Sequence, residues 1–227
     1  IDNYAHGHNP DGLDIEMTQH VLVENCRFNQ GDDAVCLKAG RNRDAWRLAT
    51  PTEDVVVRNC HTECGGGVVV IGSEMSGGVR RVYVHDCTAR YIYRVLNIKT
   101  NERRGGVVED VTVENVRVEN VQEVMAIRTD AMFQWKDIVP TFEVRPSVIR
   151  NITLRNVEAD RADCMYNLNG DARQPVVGVT IENVKVGVSG SAPCHVSNVD
   201  NLVMSGLESG SSVPEKNAVL KMVLDYR

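Results

Sequence analysis

The sequence predicts an all-β fold, a right-handed parallel β-helix in which short strands coil around one shared core. Three observations predict it. A short motif recurs with a basal period of about 27 residues, the strands are Val-rich, and no segment keeps a helical apolar period. Units this short cannot bury a face alone, so each coil must stack on its neighbours.

The recurring motif is a run of alternating apolar residues, followed by Asn or Asp and then by Cys or Val. It reads VLVENCRF, VVVRNCHT, VYVHDCTA, VTVENVRV, ITLRNVEA and VTIENVKV. Its Asn or Asp positions are Asn25, Asn59, Asp86, Asn115, Asn156 and Asn183. Coils stacked about 4.8 Å apart would align these positions in an inward-facing ladder. Cys26, Cys60 and Cys87 would form a buried column beside it. Leucine-rich repeats and propellers fit less well, because their helical half or Trp-Asp signature is missing.

The second strand of each repeat can be aligned as well. Residues 33–38 align with residues 67–72, 94–99 and 123–128, and residues 11–16 form the preceding coil. Alternation along these strands directs Cys36, Lys38, Asn97, Lys99 and Arg128 outward and the intervening aliphatic residues inward. The outward face is therefore expected to carry carboxylates at one end of its strands and a basic column at the other.

Composition excludes several classes of function. The chain has a formal net charge of −6, which makes it a poor non-specific ligand for nucleic acid. No apolar run is long enough to span a bilayer. The seven cysteines include no CxxC pair and no Cys/His cluster, so no metal site is expected. We expect a monomer that needs no cofactor and binds neither nucleic acid nor membranes.

Three aspartates are the candidate acid/base residues. Asp11 and Asp33 fall at the same column position of adjacent coils, and Asp32 is next to Asp33. Carboxylates this close repel one another, so at least one should hold a proton at neutral pH. A protonated carboxyl group beside ionised ones is what cleavage of a glycosidic bond requires. A single Asp beside a strand is commonly a turn residue. The prediction of a catalytic site therefore rests on the three aspartates being clustered.

Four ordered motifs point to a family. They are Asn9-Pro10-Asp11-Gly12, Gly31-Asp32-Asp33, Gly65-Gly66-Gly67 and Asn97-Ile98-Lys99. They resemble the Asn-Thr-Asp, Asp-Asp, Gly-His-Gly and Arg-Ile-Lys motifs of the polygalacturonases, glycoside hydrolase family 28, bacterial type. The resemblance is strong over about residues 3–130 and rests on the repeat beyond. It implies a pectin-lyase-like solenoid that degrades pectin and is secreted or periplasmic, although no signal peptide is visible in this chain.

The resemblance also implies a role for each matched residue. Asp32 matches the general acid of the family. Asp11 and Asp33 match the pair that activates water, which gives inversion at the anomeric carbon. Lys99 matches the lysine that binds a galacturonate carboxylate. The substrate is thus expected to be a pectic polysaccharide or oligosaccharide of galacturonan or rhamnogalacturonan type.

Four further substrate-binding residues complete the expected site, and one of them, Asn97, is also one of two departures from the family pattern. The column alignment adds Lys38 and Arg128, whose charges suit a polyanionic substrate. His8 could reach the site from a neighbouring loop. Gly66 stands where the family has His, and Asn97 where it has Arg. Asn cannot form a bidentate ion pair with a carboxylate, which favours a modified pectin, such as a rhamnogalacturonan backbone, or low activity.

We interpret residues 1–227 as one β-helix domain, with catalytic coils at about 8–130 and C-terminal coils at about 148–208. Ile1 precedes Asp11 by only ten residues and no cap is visible, so N-terminal coils are expected to be missing from this chain. Two other functions stay open. One is a non-catalytic or weakly active β-helix that binds acidic polysaccharide, and the other is a Ca²⁺-dependent pectate lyase.

Overall fold

The computed structural model describes residues 1–2, 9–131 and 143–212. Within them, one helix and twelve strands form a right-handed parallel β-helix, as predicted. The elements are β1 Leu13–Glu16, β2 Gln19–Glu24, β3 Arg27–Phe28, β4 Val35–Lys38, α1 Asn42–Leu48, β5 Thr52–Arg58, β6 His61–Gly72, β7 Val79–Lys99, β8 Val107–Arg128, β9 Val148–Asn169, β10 Val176–Ser189, β11 His195–Ser197 and β12 Val199–Ser212. All pairings between these strands are parallel, and the main path runs β1-β4-β6-β7-β8-β9-β10-β12.

The coil register agrees with the alignment of the sequence. One inward column runs through consecutive coils as Leu13, Val35, Val69, Leu96 and Met125. From Val35 onward its members are at most 1% exposed. Burial of this aliphatic stack is the main favourable term for the fold, because an isolated coil has no apolar partner.

Three of the strands are much longer than the short strands that the motif predicts. β7 has 21 residues, and β8 and β9 have 22 each. They turn corners at single residues in the left-handed conformation, such as Asp86 and Asn115, with φ of 54° and 55°. Asn and Asp adopt this conformation more readily than other side chains. The parallel ladder therefore continues around the corners.

The Asn ladder forms, but on the outside of the corners. The Nδ2 groups of Asn115, Asn156 and Asn183 donate to Asp86, Asn115 and Asn156 respectively, at 3.2, 3.1 and 3.1 Å. All four side chains lie on exposed residues. The prediction that the ladder faces inward is therefore wrong. At these corners the residue with positive φ directs its side chain into solvent, where it hydrogen-bonds the equivalent residue of the adjacent coil.

Asn156 offers a test of the ladder. Asn156→Ala should lower the free energy of unfolding by about 1–2 kcal/mol, because Ala carries a strain of roughly that size at positive φ. The substitution also removes both amide hydrogen bonds of the residue. Asn156→Gly removes the same hydrogen bonds without the strain, so it should cost less in a urea unfolding series. Equal losses for the two variants would contradict the role given to the conformation.

The insert between β4 and β5, at about residues 40–53, contains the short helix α1. Trp46 on α1 donates from Nε1 to the carbonyl of Arg104 at 2.7 Å. The Arg145 guanidinium lies 4.1 Å from the centre of the same ring. Trp46 therefore anchors the insert to later coils and is not free to stack on a ligand. The second tryptophan, Trp135, lies outside the described residues.

Candidate active site

The three aspartates meet at the start of two adjacent strands. Asp11 precedes β1, while Asp32 and Asp33 precede β4. The amide of Gly12 donates to the Asp33 carbonyl at 2.8 Å, which fixes the two coils in register. One carboxylate oxygen of each aspartate lies within 4.8 Å of the other two. The predicted carboxylate cluster therefore exists in the structure.

Two lysines lie against this cluster. Lys99 Nζ is 2.9 Å from Oδ2 of Asp33, which is only 3% exposed. Lys38 Nζ is 3.4 Å from Oδ2 of Asp11 and 2.8 Å from Oδ1 of Asp14. Each lysine thus neutralises part of the carboxylate charge. Among the described residues, Asp11 and Asp14 also come together with Cys36 closely enough to hold a cation, but Lys38 already supplies positive charge there.

The pKa of Asp11 is raised far above the usual value for an aspartate. Burial and the neighbouring charges of Asp32, Asp33 and Asp14 raise the pKa of Asp11 to about 7, against the opposing attraction of Lys38. Near neutral pH this carboxyl group exchanges its proton readily. The structure thus contains a carboxyl group with the proton affinity that acid/base catalysis at neutral pH uses.

Gly66 explains one departure from the family pattern. A Cβ atom at this position would lie 2.1 Å from Oδ1 of Asp33 and 3.1 Å from Oδ1 of Asp32. The Gly66 amide also donates to the Asp32 carbonyl at 2.7 Å. The Asp33 carboxylate therefore occupies the space that a side chain would need. Glycine lets the two aspartates pack directly on the backbone of β6.

Asn97 forms part of the floor of the site. Its strand position lies in register with Val70 and Ala126, which are fully buried, so Asn97 is the member of this column that lines the site. Asn97 is 5% exposed, and among the described residues its Oδ1 atom is buried without a hydrogen-bond partner. A buried acceptor without a donor costs free energy that a bound hydroxyl group could recover.

Two cavities flank the aspartates, and both are lined by Asp32, Asp33 and Lys99. The first, of about 550 Å³, is here called the arginine cavity. Its other lining residues include Tyr93, Arg94, Asn97, Gln122, Arg128 and Asp130. The second, of about 400 Å³, is called the acidic cavity. Its other lining residues include Asp11, Glu16, Lys38, Arg41 and Glu74. Together they form a groove that extends to both sides of the carboxylates.

A buried glutamate organises the arginine cavity. Glu123 is 6% exposed and accepts from Arg94 at 2.7 Å, from Arg128 at 2.6 Å and from Asn167 at 2.8 Å. Two guanidinium groups share one carboxylate, so the cluster keeps one net positive charge. The hydrogen bonds hold both arginines at the wall of the cavity.

Comparison with known proteins fixes the family. The model of glycosyl hydrolases family 28 matches residues 1–207. The chain belongs to glycosyl hydrolases family 28. Among its relatives, this family 28 chain is 28% identical to a probable polygalacturonase of Vitis vinifera over 186 residues, covering 81% of this chain and 37% of the relative. It is 25% identical to an exo-poly-alpha-D-galacturonosidase of Dickeya chrysanthemi over 227 residues, covering 95% of this chain and 37% of the relative.

A solved structure supports the same fold. The family 28 chain superposes on a hyperthermoactive exopolygalacturonase from Thermotoga maritima with a TM-score of 0.77 and 30% sequence identity. The match covers 88% of this chain and 45% of that one. The chain thus spans less than half the length of these relatives. No helix in its described part has the length and apolarity needed to cross a membrane.

The structure keeps the expected layout of charges in this family 28 site and adds contacts to it. Asp33 and Glu123 lie at the starts of the aligned segments, and Lys99 and Arg128 lie at their ends. Their long side chains then pair, Lys99 with Asp33 and Arg128 with Glu123. His8 lies outside the described residues. Arg94 was not identified from the sequence. Arg94 lies in register with Glu123. These two residues begin the aligned segments 94–99 and 123–128, so their opposite charges at equivalent positions could have predicted the ion pair.

Proposed function

We propose that the protein is a glycoside hydrolase that cleaves pectic polysaccharide of galacturonan or rhamnogalacturonan type. The observation that carries the proposal is the cluster of Asp11, Asp32 and Asp33 between two cavities. A module that only binds a polyanion would gain nothing from three carboxylates that repel it. Because pectin lies outside the cell that degrades it, we also propose that the protein is secreted or periplasmic.

In this mechanism Asp32 donates a proton to the leaving glycosidic oxygen. Asp32 matches the general acid in the resemblance, and like Asp33 it lines both cavities, where the bond between two sugar rings would lie. Asp11 and Asp33 occupy equivalent positions of adjacent coils, so both can accept hydrogen bonds from one attacking water. Lys99 lines both cavities, ion-pairs with Asp33 and offers its charge to a sugar carboxylate.

Attack by a water held in this way inverts the anomeric carbon. Retention is the second candidate, because the oxygens lie within 4.8 Å of one another. Inverting enzymes usually separate their carboxyl groups by about 6.5–9.5 Å and retaining ones by about 5–5.5 Å. Proton NMR of the first product decides between them. A product with the anomeric configuration of the substrate would overturn the inverting mechanism.

The two cavities differ in charge, which bears on the substrate. Apart from the shared residues, the arginine cavity adds Arg94, Arg128 and one anion, Asp130, so its added cations outnumber its added anions and can receive a uronate carboxylate. The acidic cavity adds Asp11, Glu16 and Glu74, which outnumber its added cations and disfavour a second uronate. An alternating backbone of charged and neutral sugars fits this asymmetry. Reducing-sugar release should therefore be measured on rhamnogalacturonan and on polygalacturonan, and faster release from polygalacturonan would contradict the charge argument.

Two outcomes of the same assay would contradict the proposed function as a whole. Binding without release of reducing ends from any pectic polymer would favour the non-catalytic alternative. Release of unsaturated products, abolished by EDTA, would favour a Ca²⁺-dependent lyase.

The pH profile should report the ionisation of Asp11. As an acceptor of the water proton, Asp11 must be ionised, so kcat/KM should rise as pH increases through about 7. Lys38→Met should move this limb to higher pH, because Lys38 lowers the pKa of Asp11. Asp14→Asn should move it to lower pH, because the negative charge of Asp14 raises that pKa. Activity that instead falls through pH 7 would make Asp11 the proton donor.

Arg128 should determine substrate affinity. Arg128→Gln should raise KM on acidic oligosaccharides by about 10- to 150-fold with little change in kcat, since a hydrogen bond to a charged group contributes roughly 1.5–3 kcal/mol. Glu123 keeps its bonds to Arg94 and Asn167, so the fold should survive. The matched control is Arg117→Gln, because Arg117 is an exposed arginine that also pairs with acidic residues. An equal change in KM for both variants would contradict the assignment.

A further inference from the structure

Gln30 is a buried polar residue next to the aspartate cluster. It lies in the segment between β3 and β4, two residues before Asp32, and it is 0% exposed. Its Nε2 group donates to the Asp32 carbonyl at 3.2 Å. We propose that Gln30 is a positioning residue, which fixes the backbone of Asp32 and thereby orients its carboxyl group toward the glycosidic oxygen. This inference rests on the general-acid role proposed above for Asp32.

The Asp32 carbonyl accepts two hydrogen bonds. One comes from the Gly66 amide at 2.7 Å, and the other comes from Gln30 Nε2. A carbonyl oxygen has two lone pairs, so both bonds can form at once. A side-chain substitution at Gln30 removes the second donor and leaves the first in place. The contribution of Gln30 can therefore be measured without disturbing the main chain of β6.

The start of β6 packs directly on this contact. A Cβ atom at Gly65 would lie 2.3 Å from the Asp32 carbonyl oxygen and 2.4 Å from Gln30 Nε2. The Sγ atom of Cys64, which is also fully buried, donates to the Gln30 carbonyl at 3.2 Å. The Gln30 amide is therefore confined between β6 and the Asp32 backbone, and its own backbone is held by the same strand.

The Gln30 side chain is unfavourable for stability. Its Oε1 atom is buried, and within the described part of the chain it has no hydrogen-bond partner. A buried acceptor without a donor destabilises the folded state, so an apolar side chain of similar shape would suit the fold at least as well. A buried polar group that the fold does not need calls for another role. The contact with the Asp32 backbone supplies one.

A neutral positioning group also suits a proton donor. Both of the other carboxylates of the cluster are ion-paired with a lysine. A cation bonded directly to a carboxyl group favours its ionised form, which is the wrong form for a general acid. Gln30 acts on the backbone of Asp32 and adds no charge. It can therefore orient this carboxyl group without removing its proton.

Gln30→Met tests the proposal, because Met has nearly the same length but lacks both the donor and the unpaired acceptor. It should lower kcat on pectic polymers by roughly tenfold or more, toward the 10²-fold loss that misplacement by about 1 Å can cause. KM should change little, and Tm should stay the same or rise. A substrate with a good leaving group should recover most of the lost rate, because the proton donor is the displaced group.

The matched control is Gln174→Met. Gln174 is a half-buried residue in the turn between β9 and β10, and the substitution should leave kcat and KM unchanged. A wild-type kcat in Gln30→Met, or a loss of kcat accompanied by a lower Tm, would overturn the positioning role.

A second measurement does not depend on activity. The charge of Asp32 helps to raise the pKa of Asp11 to about 7. Once Gln30 no longer holds Asp32, repulsion within the cluster should move Asp32 away. The titration midpoint of Asp11, followed by carboxyl ¹³C NMR, should therefore fall in Gln30→Met but not in Gln174→Met. If the wild type cleaves no pectic polymer, the proposed function fails, and an unchanged Asp11 midpoint would still overturn the role of Gln30.

Discussion

Asp32→Asn is expected to lower kcat on pectic polymers by about 10²–10⁴-fold, the usual contribution of general acid–base catalysis. Asn has nearly the same shape as Asp but cannot donate an acidic proton to the leaving oxygen. The backbone hydrogen bond from Gly66 to the Asp32 carbonyl is unaffected, so the unfolding midpoint should change little. Reducing-sugar assays at substrate saturation measure the effect directly.

The role of Asp32 can be separated from general damage to the site. A substrate with a good leaving group needs little protonation, so it should recover most of its rate in Asp32→Asn and little in Asp33→Asn. Asp160→Asn is the matched control, because Asp160 is exposed and pairs with Arg117 on the surface. Equal sugar release by the wild type and Asp32→Asn would refute the enzymatic proposal as stated.

Gly66→Ala should lower kcat by roughly 10²-fold, the loss that follows when a catalytic group is misplaced by about 1 Å. The new Cβ would lie 2.1 Å from Oδ1 of Asp33, so the carboxylate must move away. That movement would stretch the ion pair with Lys99, now 2.9 Å long. Kinetic constants and the urea midpoint should be measured together, to separate a local from a global effect.

The most informative companion is Gly66→His, which introduces the residue usual in the family. It should be at least as inactive as Gly66→Ala, because Asp33 occupies the space that the imidazole would need. Gly187→Ala serves as the control, since its Cβ would lie 3.0 Å from the carbonyl oxygen of Asp160, away from the site. Full activity of Gly66→His would show that Asp33 can vacate this position.

Much of the fold followed from local patterns. Alternation along each strand decides which side chains enter the core, and stacking of coils forces equivalent positions into columns. The register of Val35 with Val69 and Leu96 could therefore be predicted from alignment of the repeats. The cluster of Asp11, Asp32 and Asp33 follows from the same register, without information on loops.

The remaining features depend on contacts between residues distant in sequence. Nothing near Lys99 indicates that it pairs with Asp33, because the pairing requires two long side chains to meet across coils. The αL corner at Asn115 exposes a side chain that the motif alone placed inside. Repulsion within the aspartate cluster predicts that one carboxyl group has a raised pKa, but the burial that raises the pKa of Asp11 most is not visible in any local pattern. Contacts between residues distant in sequence thus determine the ion pairs and the pKa values of the site. The repeat pattern determines the stacking of the coils.

The strand positions of Val70, Asn97 and Ala126, the column at the base of the site, have a consequence for how new specificities could arise. They are fixed by main-chain pairing, whereas parts of the walls come from inserts between strands, such as the segment around Arg41. An insert can lengthen without shifting the pairing on either side of it. Specificity can therefore diversify through the lengths of the inserts that form the walls, while the main-chain pairing at the base of the site stays the same.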